Sequence, residues 1–197
     1  MRDRTVSLIG RYKDSYLIQA RDVVRPELIE GKYNFIFPGA CSLFGGGLRE
    51  VEHPEAGLKR ILSEQMDGLK LPEVLEPKFY VWRRDLGEVM ERLDSVFGGN
   101  VNVLLGFDLE GKIPQQALGN DRGDDLSYRA FLYGLDQDHY FVADFEAKAL
   151  DNVNVREGVG AYWVPHQIAR SLVMVPGDKL ALLDDIALRV LAGELSI

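Results

Sequence analysis

Three consecutive glycines, Gly45 to Gly47, lie a few residues before a helix start, and this combination constrains the fold more than any other part of the sequence. Proline suits the first helical position, taken here by Pro54, because its fixed φ is already helical and its missing N–H is not needed there. The residues that follow recur on one face at helical spacing: Leu58, Ile61, Leu62 and Gln65. The pattern predicts a glycine-rich loop leading into a helix from about residue 54 to residue 67.

Segments of strand and helix character alternate along the rest of the chain. Residues 5–21 alternate polar and apolar side chains around the turn Lys13-Asp14-Ser15, which predicts a β-hairpin. Residues 78–84 predict a strand, and Asp85 is placed to cap a helix that ends before Gly98. The remaining predictions are a loop at 22–32, short strands at 33–37 and 42–44, strands at 101–109, 127–136, 139–147 and 160–164, a short helix at 164–172 and a final helix capped by Asp178. This order predicts an α+β fold, an α/β/α sandwich with a mixed sheet flanked by helices.

Length and charge narrow the classes of function. The chain has 197 residues, of which 46% are hydrophobic, and this suits one compact domain spanning residues 1–197. Its formal net charge is −8, the acids are spread along the chain, and no run of Lys or Arg is dense enough to follow a phosphate backbone, so nucleic acid is excluded as a partner. No signal peptide or membrane-length apolar stretch stands out, and we therefore expect a soluble, cytoplasmic protein without a membrane partner.

Cysteine and histidine give no sign of a metal centre. Cys41 is the only cysteine, which rules out an internal disulfide and a thiolate zinc site within one chain, and its neighbours indicate a packing role at the start of a strand. His53, His139 and His166 lack the paired spacing of metal ligands and are expected at surface or capping positions.

The segment LFGGGLREVEHPEAGLKRILSEQMDG, residues 43–68, resembles the Nudix box. In that motif Gly, five residues, Glu and seven further residues precede Arg-Glu-aliphatic-x-Glu-Glu-x-Gly, and five residues match in register: Gly46, Glu52, Arg60, Leu62 and Glu64. In the Nudix family the box helix presents carboxylates to a divalent cation bound to a diphosphate, since Mg²⁺ requires several hard oxygen ligands. The resemblance therefore implies a Nudix-like fold, Mg²⁺ or Mn²⁺ as a cofactor and a nucleotide-like ligand.

The box is degenerate at the positions that bind metal. Ile61 stands where the family has the Glu after Arg, and Gln65 stands where it has the second Glu of the pair. Asp67 also replaces the glycine that closes the helix, so the box spans about residues 46–68 without its usual end. Of the three expected carboxylates only Glu64 is left, which makes it the candidate catalytic and metal-binding residue.

The residues that survive are those with a structural role. The resemblance implies that Gly46, Glu52 and Arg60 form a loop-to-helix ion pair that shapes the site without touching the substrate. Glu157 lies in a region from which some members contribute an extra acid, so it is a second metal candidate, with a solvated loop acid as the alternative. A fainter resemblance at the C-terminal end extends the likeness over about residues 5–193, with residues 72–100 looking like a helical insertion.

These observations predict a Nudix-like protein that recognises a nucleotide or a nucleoside diphosphate linked to another group, with pyrophosphohydrolase activity weak, altered or lost. If the site is inactive, no metal cofactor is expected. One alternative is an active Mg²⁺-dependent hydrolase that uses Glu64, Glu157 or other acids near the box, which are Glu50, Glu52, Glu55 and Asp67. Another is a non-enzymatic ligand sensor or protein-interaction module that uses the segment 110–126 or the helix 85–97. The sequence leaves a homodimer open as an assembly.

Overall fold

A computed structural model describes residues 3–21, 37, 39–114, 126–146, 150 and 153–197. The loop predicted at 22–32, most of the strand predicted at 33–37 and most of the polar segment 110–126 lie outside these residues.

Nine strands and six α-helices make up the described part of the chain. The strands are β1 (Asp3–Tyr12), β2 (Ser15–Ala20), β3 (Cys41–Ser42), β4 (Phe44–Gly47), β5 (Met66–Asp67), β6 (Glu76–Tyr80), β7 (Leu135–Asp144), β8 (Asn154–Val155) and β9 (Gly160–Pro165). The helices are α1 (Pro54–Gln65), α2 (Trp82–Phe97), α3 (Val101–Leu105), α4 (Tyr128–Gly134), α5 (His166–Ala169) and α6 (Pro176–Leu191), with a 3₁₀ turn at Gly98–Asn100.

Strand β1 lies at the centre of a mixed sheet. It forms the predicted hairpin with β2, runs parallel to β7 from Asp3 to Arg11, and pairs antiparallel with β4. The sheet order is β3-β2-β1-β7-β6, with β9 added beside β2, and a separate two-stranded pair joins β5 to β8. The mixed sheet predicted from the sequence is confirmed, and the pairing with β4 places the glycine run directly against β1.

Helices cover both faces of the sheet because side chains alternate along its central strands. On β1, Val6 and Leu8 point into the core beneath α1, whereas Ile9 points into a second core beneath α2 and α6. Strand β7 repeats the division, with Phe141 on the α1 side and Tyr140 on the other. The sandwich prediction is therefore confirmed. In the part of the chain described here, no helix has the length and apolar character needed to cross a membrane.

Two predicted strands are helices in the structure. Residues 101–105 form α3, in which Val101 and Leu105 are buried one helical turn apart. Within the segment 127–136, residues 128–134 form α4, where the Ser127 hydroxyl caps the helix by accepting from the N–H of Ala130 at 3.1 Å. Apolar and aromatic residues here favour strands locally, but the cap and the one-turn spacing of the buried residues favour helices, and packing decides for the latter.

Three helix boundaries also differ from the predictions. Helix α1 ends at Gln65 because Met66 and Asp67 pair with β8 instead of continuing the helix. Helix α2 begins at Trp82, and Asp85 acts from within its first turn by accepting from the N–H of Val81 at 2.7 Å. Helix α6 begins at Pro176, and Asp178 is buried in its first turn, where it accepts from the N–H of Leu43 at 3.0 Å instead of capping the helix. Residues 72–100 contain β6 and α2, and β6 pairs with β7 of the main sheet.

Candidate functional site

Arg60 holds together the loop between β4 and α1. Its Nε and Nη2 donate to the two carboxylate oxygens of Glu52, each at 2.8 Å, and Nη2 also donates to the carbonyl oxygen of Gly47 at 3.3 Å. Glu52 in turn accepts from the N–H of Arg49 at 3.0 Å. A bidentate guanidinium–carboxylate pair fixes both distance and orientation, so this pair sets the path of the loop over the helix.

The ion pair keeps Glu52 charged across the physiological range. The hydrogen bonds from Arg60 lower the pKa of Glu52 to about 2, and the N–H of Arg49 lowers it further. The same bonds to Glu52 raise the pKa of Arg60. Both partners are therefore ionised at any pH at which the protein would be assayed.

Glu64, the carboxylate left from the metal-binding set, is also bound to Arg60. Nη1 of Arg60 lies 3.1 and 3.2 Å from the two oxygens of Glu64, one helical turn away. The Glu64 side chain is 55% exposed, so solvent still reaches it. Arg60 partly neutralises the charge that Glu64 would otherwise offer to a cation.

Ile61 fills the space where the family has a glutamate. Its residue exposure is 5%, and a Cβ atom built on Gly46 would lie 3.6 Å from two of its side-chain carbons. The isoleucine thus packs beneath the glycine strand as part of the core on the α1 side. An aliphatic side chain in this place provides no ligand for a metal ion.

Gln65 lies where the family has its second paired glutamate, and its amide points at oxygen atoms. Nε2 donates to the carbonyl oxygen of Gly45 at 2.9 Å and lies 3.4 Å from Oε2 of Glu157. The residue is 6% exposed, and its Oε1 is buried without a hydrogen-bond partner among the residues that the structure describes. The amide NH₂ therefore lies between two oxygen acceptors.

Glu157 is fixed beside the end of α1 by main-chain contacts. The N–H groups of Arg156 and Glu157 donate to the carbonyl oxygen of Gln65 at 2.7 and 3.3 Å. Gln19 donates through Nε2 to the carbonyl oxygen of Glu157 at 2.8 Å. Glu157 thus lies beside Gln65, from which it is separated by 92 positions in the chain.

The residues present do not fit a Mg²⁺ or Mn²⁺ site of the family type. Such a site needs several oxygen ligands that converge, and among the described residues no group of three or more His, Cys, Asp or Glu side chains is placed to hold a metal ion. The neighbouring acids are paired elsewhere: Asp67 accepts from Nε of Arg156 at 2.6 Å, and Glu55 accepts from Lys59 at 2.6 Å.

The three histidines and Cys41 take no part in the hydrogen bonds of Arg60 and Gln65 described above. His53 precedes α1 without a side-chain cap, and His139 lies against Phe79, with ring centres 4.9 Å apart. The ring of His166 contacts the carbonyl oxygens of Asp14 and Ser196 at 3.2 and 2.9 Å, which fastens α5 to the hairpin and to the C-terminal residues. Cys41 is half-buried at the start of β3, and burial raises the pKa of its thiol.

Two glycines that the motif does not single out allow close packing at the site. A Cβ atom on Gly45 would lie 2.3 Å from the carbonyl oxygen of Val6, because β4 runs against β1 at this point. A Cβ atom on Gly57 would lie 2.2 Å from Cδ2 of Leu48 and 3.0 Å from Oε2 of Glu52. Glycine lowers the stability of a helix interior, so a glycine at position 57 of the predicted helix already indicates close packing in the sequence.

Comparison with known proteins supports the fold. No protein-family model matches the sequence, and no curated protein matches it. Among solved structures, a mutT/nudix family protein from Listeria innocua has a TM-score of 0.54 at 16% identity, with 98% of each chain covered. The NUDIX domain of Shewanella oneidensis NrtR, complexed with ADP ribose, has a TM-score of 0.52 at 14% identity, covering 96% of this chain and 89% of that one.

A third structure is a bifunctional NMN adenylyltransferase/ADP ribose pyrophosphatase from Francisella tularensis, complexed with AMP and a manganese ion. It has a TM-score of 0.52 at 15% identity and covers 98% of this chain, which spans only 42% of the Francisella chain. These likenesses show that the chain has a Nudix-like fold. At 14–16% identity, the likeness to these three structures is one of fold.

Proposed function

We propose that this chain forms a single Nudix-like domain that recognises a nucleotide, or a nucleoside diphosphate linked to another group, with pyrophosphohydrolase activity weak, altered or lost. The observation that carries the proposal is the contact set of Gln65, whose amide NH₂ faces Gly45 and Glu157 at a position where the family motif has a metal-binding glutamate. Ile61 and the pairing of Glu64 with Arg60 support it, since neither leaves a free carboxylate.

Nucleotide recognition is supported by the neighbours of known fold. One is complexed with ADP ribose and another with AMP and a manganese ion. A binding protein can keep the scaffold of such a site while losing the ligands of the metal, because the Arg60–Glu52 pair shapes the loop independently of Glu at positions 61 and 65. Binding without efficient hydrolysis follows from this combination.

The test is a panel of AMP, ADP, ADP-ribose and other nucleoside diphosphate derivatives, measured for thermal shift and for hydrolysis of the diphosphate to a nucleoside monophosphate, with and without Mg²⁺. We expect at least one member to raise the melting temperature, because a ligand that binds only the folded state stabilises it. Formation of the nucleoside monophosphate should stay well below common enzyme turnover, which is about 1–10³ per second. Turnover in that range would contradict the impaired site, and the absence of any thermal shift would contradict nucleotide recognition.

The second candidate is an active hydrolase with a nonstandard metal site, favoured by the closeness of Glu157 to Gln65. In that case Glu64 and Glu157 would provide the metal ligands. The same panel tests it when repeated with Glu64→Gln, which keeps the shape of the side chain and removes its charge. Any Mg²⁺-dependent turnover should be abolished if Glu64 is a ligand, and unchanged turnover would exclude that role.

A further inference from the structure

A half-open cavity of about 240 Å³ lies between α1 and the segment that follows it. On the helix side, the lining residues recur at the spacing of one helical face: Lys59, Leu62, Ser63 and Met66. The opposite wall is formed by residues 67–69 and 71. The volume corresponds to about eight water-sized groups, because a water molecule takes about 30 Å³ in the liquid. The cavity therefore matches a small molecule that enters from solvent.

One end of the cavity is apolar and is fixed by the core. Leu62 and Met66 are 4% and 3% exposed and belong to the core on the α1 side. Leu69 and Leu71 pack against the same core from the other wall. Gly68 turns the chain ahead of Leu69 with a φ of +83°, a conformation that suits glycine. This end of the cavity offers contacts to the apolar part of a ligand.

The other end of the cavity offers a cation. Lys59 and Ser63 lie one turn apart on α1, and the Lys59 side chain is 57% exposed. Nζ of Lys59 donates to Glu55 at 2.6 Å in an exposed i,i+4 pair, which is a weak interaction. An ammonium group has three donors, so Lys59 can also bind a second anion. Asp67 is the other charged residue of the lining, and both of its carboxylate oxygens accept from Arg156.

We propose that this cavity binds a small carboxylate with an apolar body, which places its carboxylate at Lys59 and its body against Leu62 and Met66. The carbonyl groups at the end of a helix disfavour an anion within the last turn. Lys59 lies six positions before Gln65, the last residue of α1, so the carboxylate avoids that end and the apolar body covers it. The cavity is lined by neither Arg60 nor Glu64, and its ligand is independent of nucleotide recognition.

The first experiment titrates three probes into the labelled protein and follows its amide groups by two-dimensional NMR. The probe 4-methylpentanoate should cause saturable shifts at residues 59–71, with a millimolar Kd because so small a ligand makes few contacts. Its amide, 4-methylpentanamide, keeps the shape without the charge and should bind about two- to fivefold more weakly. Acetate keeps the charge without the body and should not saturate in the same range. Equal binding of carboxylate and amide, or of acetate and 4-methylpentanoate, would overturn the proposal, as would the absence of saturable shifts.

The second experiment uses variants whose expected effects have opposite signs. Lys59→Gln should raise Kd for 4-methylpentanoate to that of the amide and leave Kd for the amide unchanged. Glu55→Gln should lower Kd for 4-methylpentanoate, because Lys59 is then free of its partner. Lys70→Gln is the control with the same change of charge, at an exposed position outside the lining, and should change neither Kd. Equal effects of Lys59→Gln and Lys70→Gln would mean that the probe responds only to the charge of the surface, which overturns the proposal.

A third variant fills the cavity without disturbing the core. Ser63 is an exposed residue of the lining, so Ser63→Phe adds an aromatic ring at the cavity while the packing of Leu62 and Met66 is retained. Binding of 4-methylpentanoate should be abolished, and the melting temperature should stay close to that of the parent protein. Unchanged binding by Ser63→Phe would place the probe elsewhere and overturn the proposal. Nucleotide is absent from every titration, so these results stand whether or not the protein recognises nucleotides.

Discussion

At the scale of single residues, the proposed function depends on an amide and an aliphatic side chain at two positions where the family motif has carboxylates. In the family pattern, carboxylates at positions 61, 64 and 65 lie on one side of the box helix, one turn apart, and need a metal ion to balance their charge. Gln65 removes this need because its NH₂ group donates to Gly45 and Glu157 directly. Ile61 carries no charge that a metal ion would balance, because its aliphatic side chain packs in the core on the α1 side. Under the proposed function, each of the two residues favours a box without metal.

The double variant Ile61→Glu with Gln65→Glu tests whether the box retains the family geometry. Both new carboxylates would be largely buried beside Glu157, where like charges repel, so Mg²⁺ or Mn²⁺ should bind and raise the melting temperature. Calorimetry should then show uptake of metal by the variant and none by the parent protein. Ile61→Gln with Gln65 retained adds polarity without charge and should bind no metal. An absence of uptake by the double variant would mean that the loop no longer has the family geometry.

At the scale of elements, strand β4 explains which of the three glycines is required. Gly45 faces the main chain of β1 so closely that no side chain fits, whereas Gly46 allows an ordinary contact and Gly47 has open space at the Cβ position. The motif register identifies Gly46, because it counts positions along the chain. The demand on Gly45 arises from its neighbour across the sheet, which a single sequence does not display.

Alanine substitutions along β4 should therefore differ sharply. Gly45→Ala should lower the free energy of unfolding by about 3 kcal/mol, since the clash is with a backbone oxygen that cannot move aside alone. Gly47→Ala should change it by less than about 1 kcal/mol, and can raise it because alanine restricts the unfolded chain. Urea unfolding of the two variants and of the parent protein measures these differences. Equal losses at Gly45 and Gly47 would contradict the close contact between β4 and β1.

The elements that the sequence predicted correctly are those specified by local chemistry. Pro54 and the apolar face of Leu58 and Leu62 define α1, and a short turn defines the hairpin of β1 and β2. The segments 101–109 and 127–136 were wrong because aromatic and branched residues suit both strand and helix, and the choice depends on the packing partner. In the site, the positions of Arg60, Glu52 and Glu64 followed from register, but the hydrogen bonds of Gln65 required knowledge of β4 and of residue 157.

At the scale of the whole molecule, α6 is fastened to the sheet through buried polar side chains. Asp185 accepts from Nε of Arg11 at 2.9 Å, from Lys78 at 2.7 Å and from Tyr16 at 2.9 Å, so it joins β1, β6 and β2 to the helix. Lys179 donates to the carbonyl oxygens of Arg170 and Leu172 at 2.6 and 2.7 Å. Such contacts are costly to bury and are stabilising only when every group is paired.

The buried carboxyl of Asp178, in the first turn of α6, makes the stability of the protein depend on pH. Burial raises its pKa to about 7, with nearby Asp138 adding to the effect, while the N–H of Leu43, the charge of Arg21 and the hydroxyl of Ser7 oppose it. Burial also raises the pKa values of Asp138 and of Tyr140, which face the same carboxyl. The folded state thus holds this proton more tightly than the unfolded state, whose aspartate has a pKa near 3.9. The stabilising contribution of the proton is complete below about pH 4 and is lost as pH rises through about 7.

Asp178→Asn should remove most of that dependence. Asparagine keeps an oxygen that can accept from the N–H of Leu43 but carries no titrating proton, so the variant should lose less unfolding free energy than the parent between pH 5 and pH 8. The difference between the two losses should be on the order of a few kcal/mol, because each unit of pKa shift corresponds to about 1.4 kcal/mol. Urea unfolding at both pH values measures it, with Asp94→Asn at an exposed position of α2 as the control. Asp94→Asn should lose as much stability as the parent over this interval. If Asp178→Asn also does so, Asp178 is ionised throughout, and it holds α6 to the β3–β4 segment as a carboxylate and not as a protonated acid.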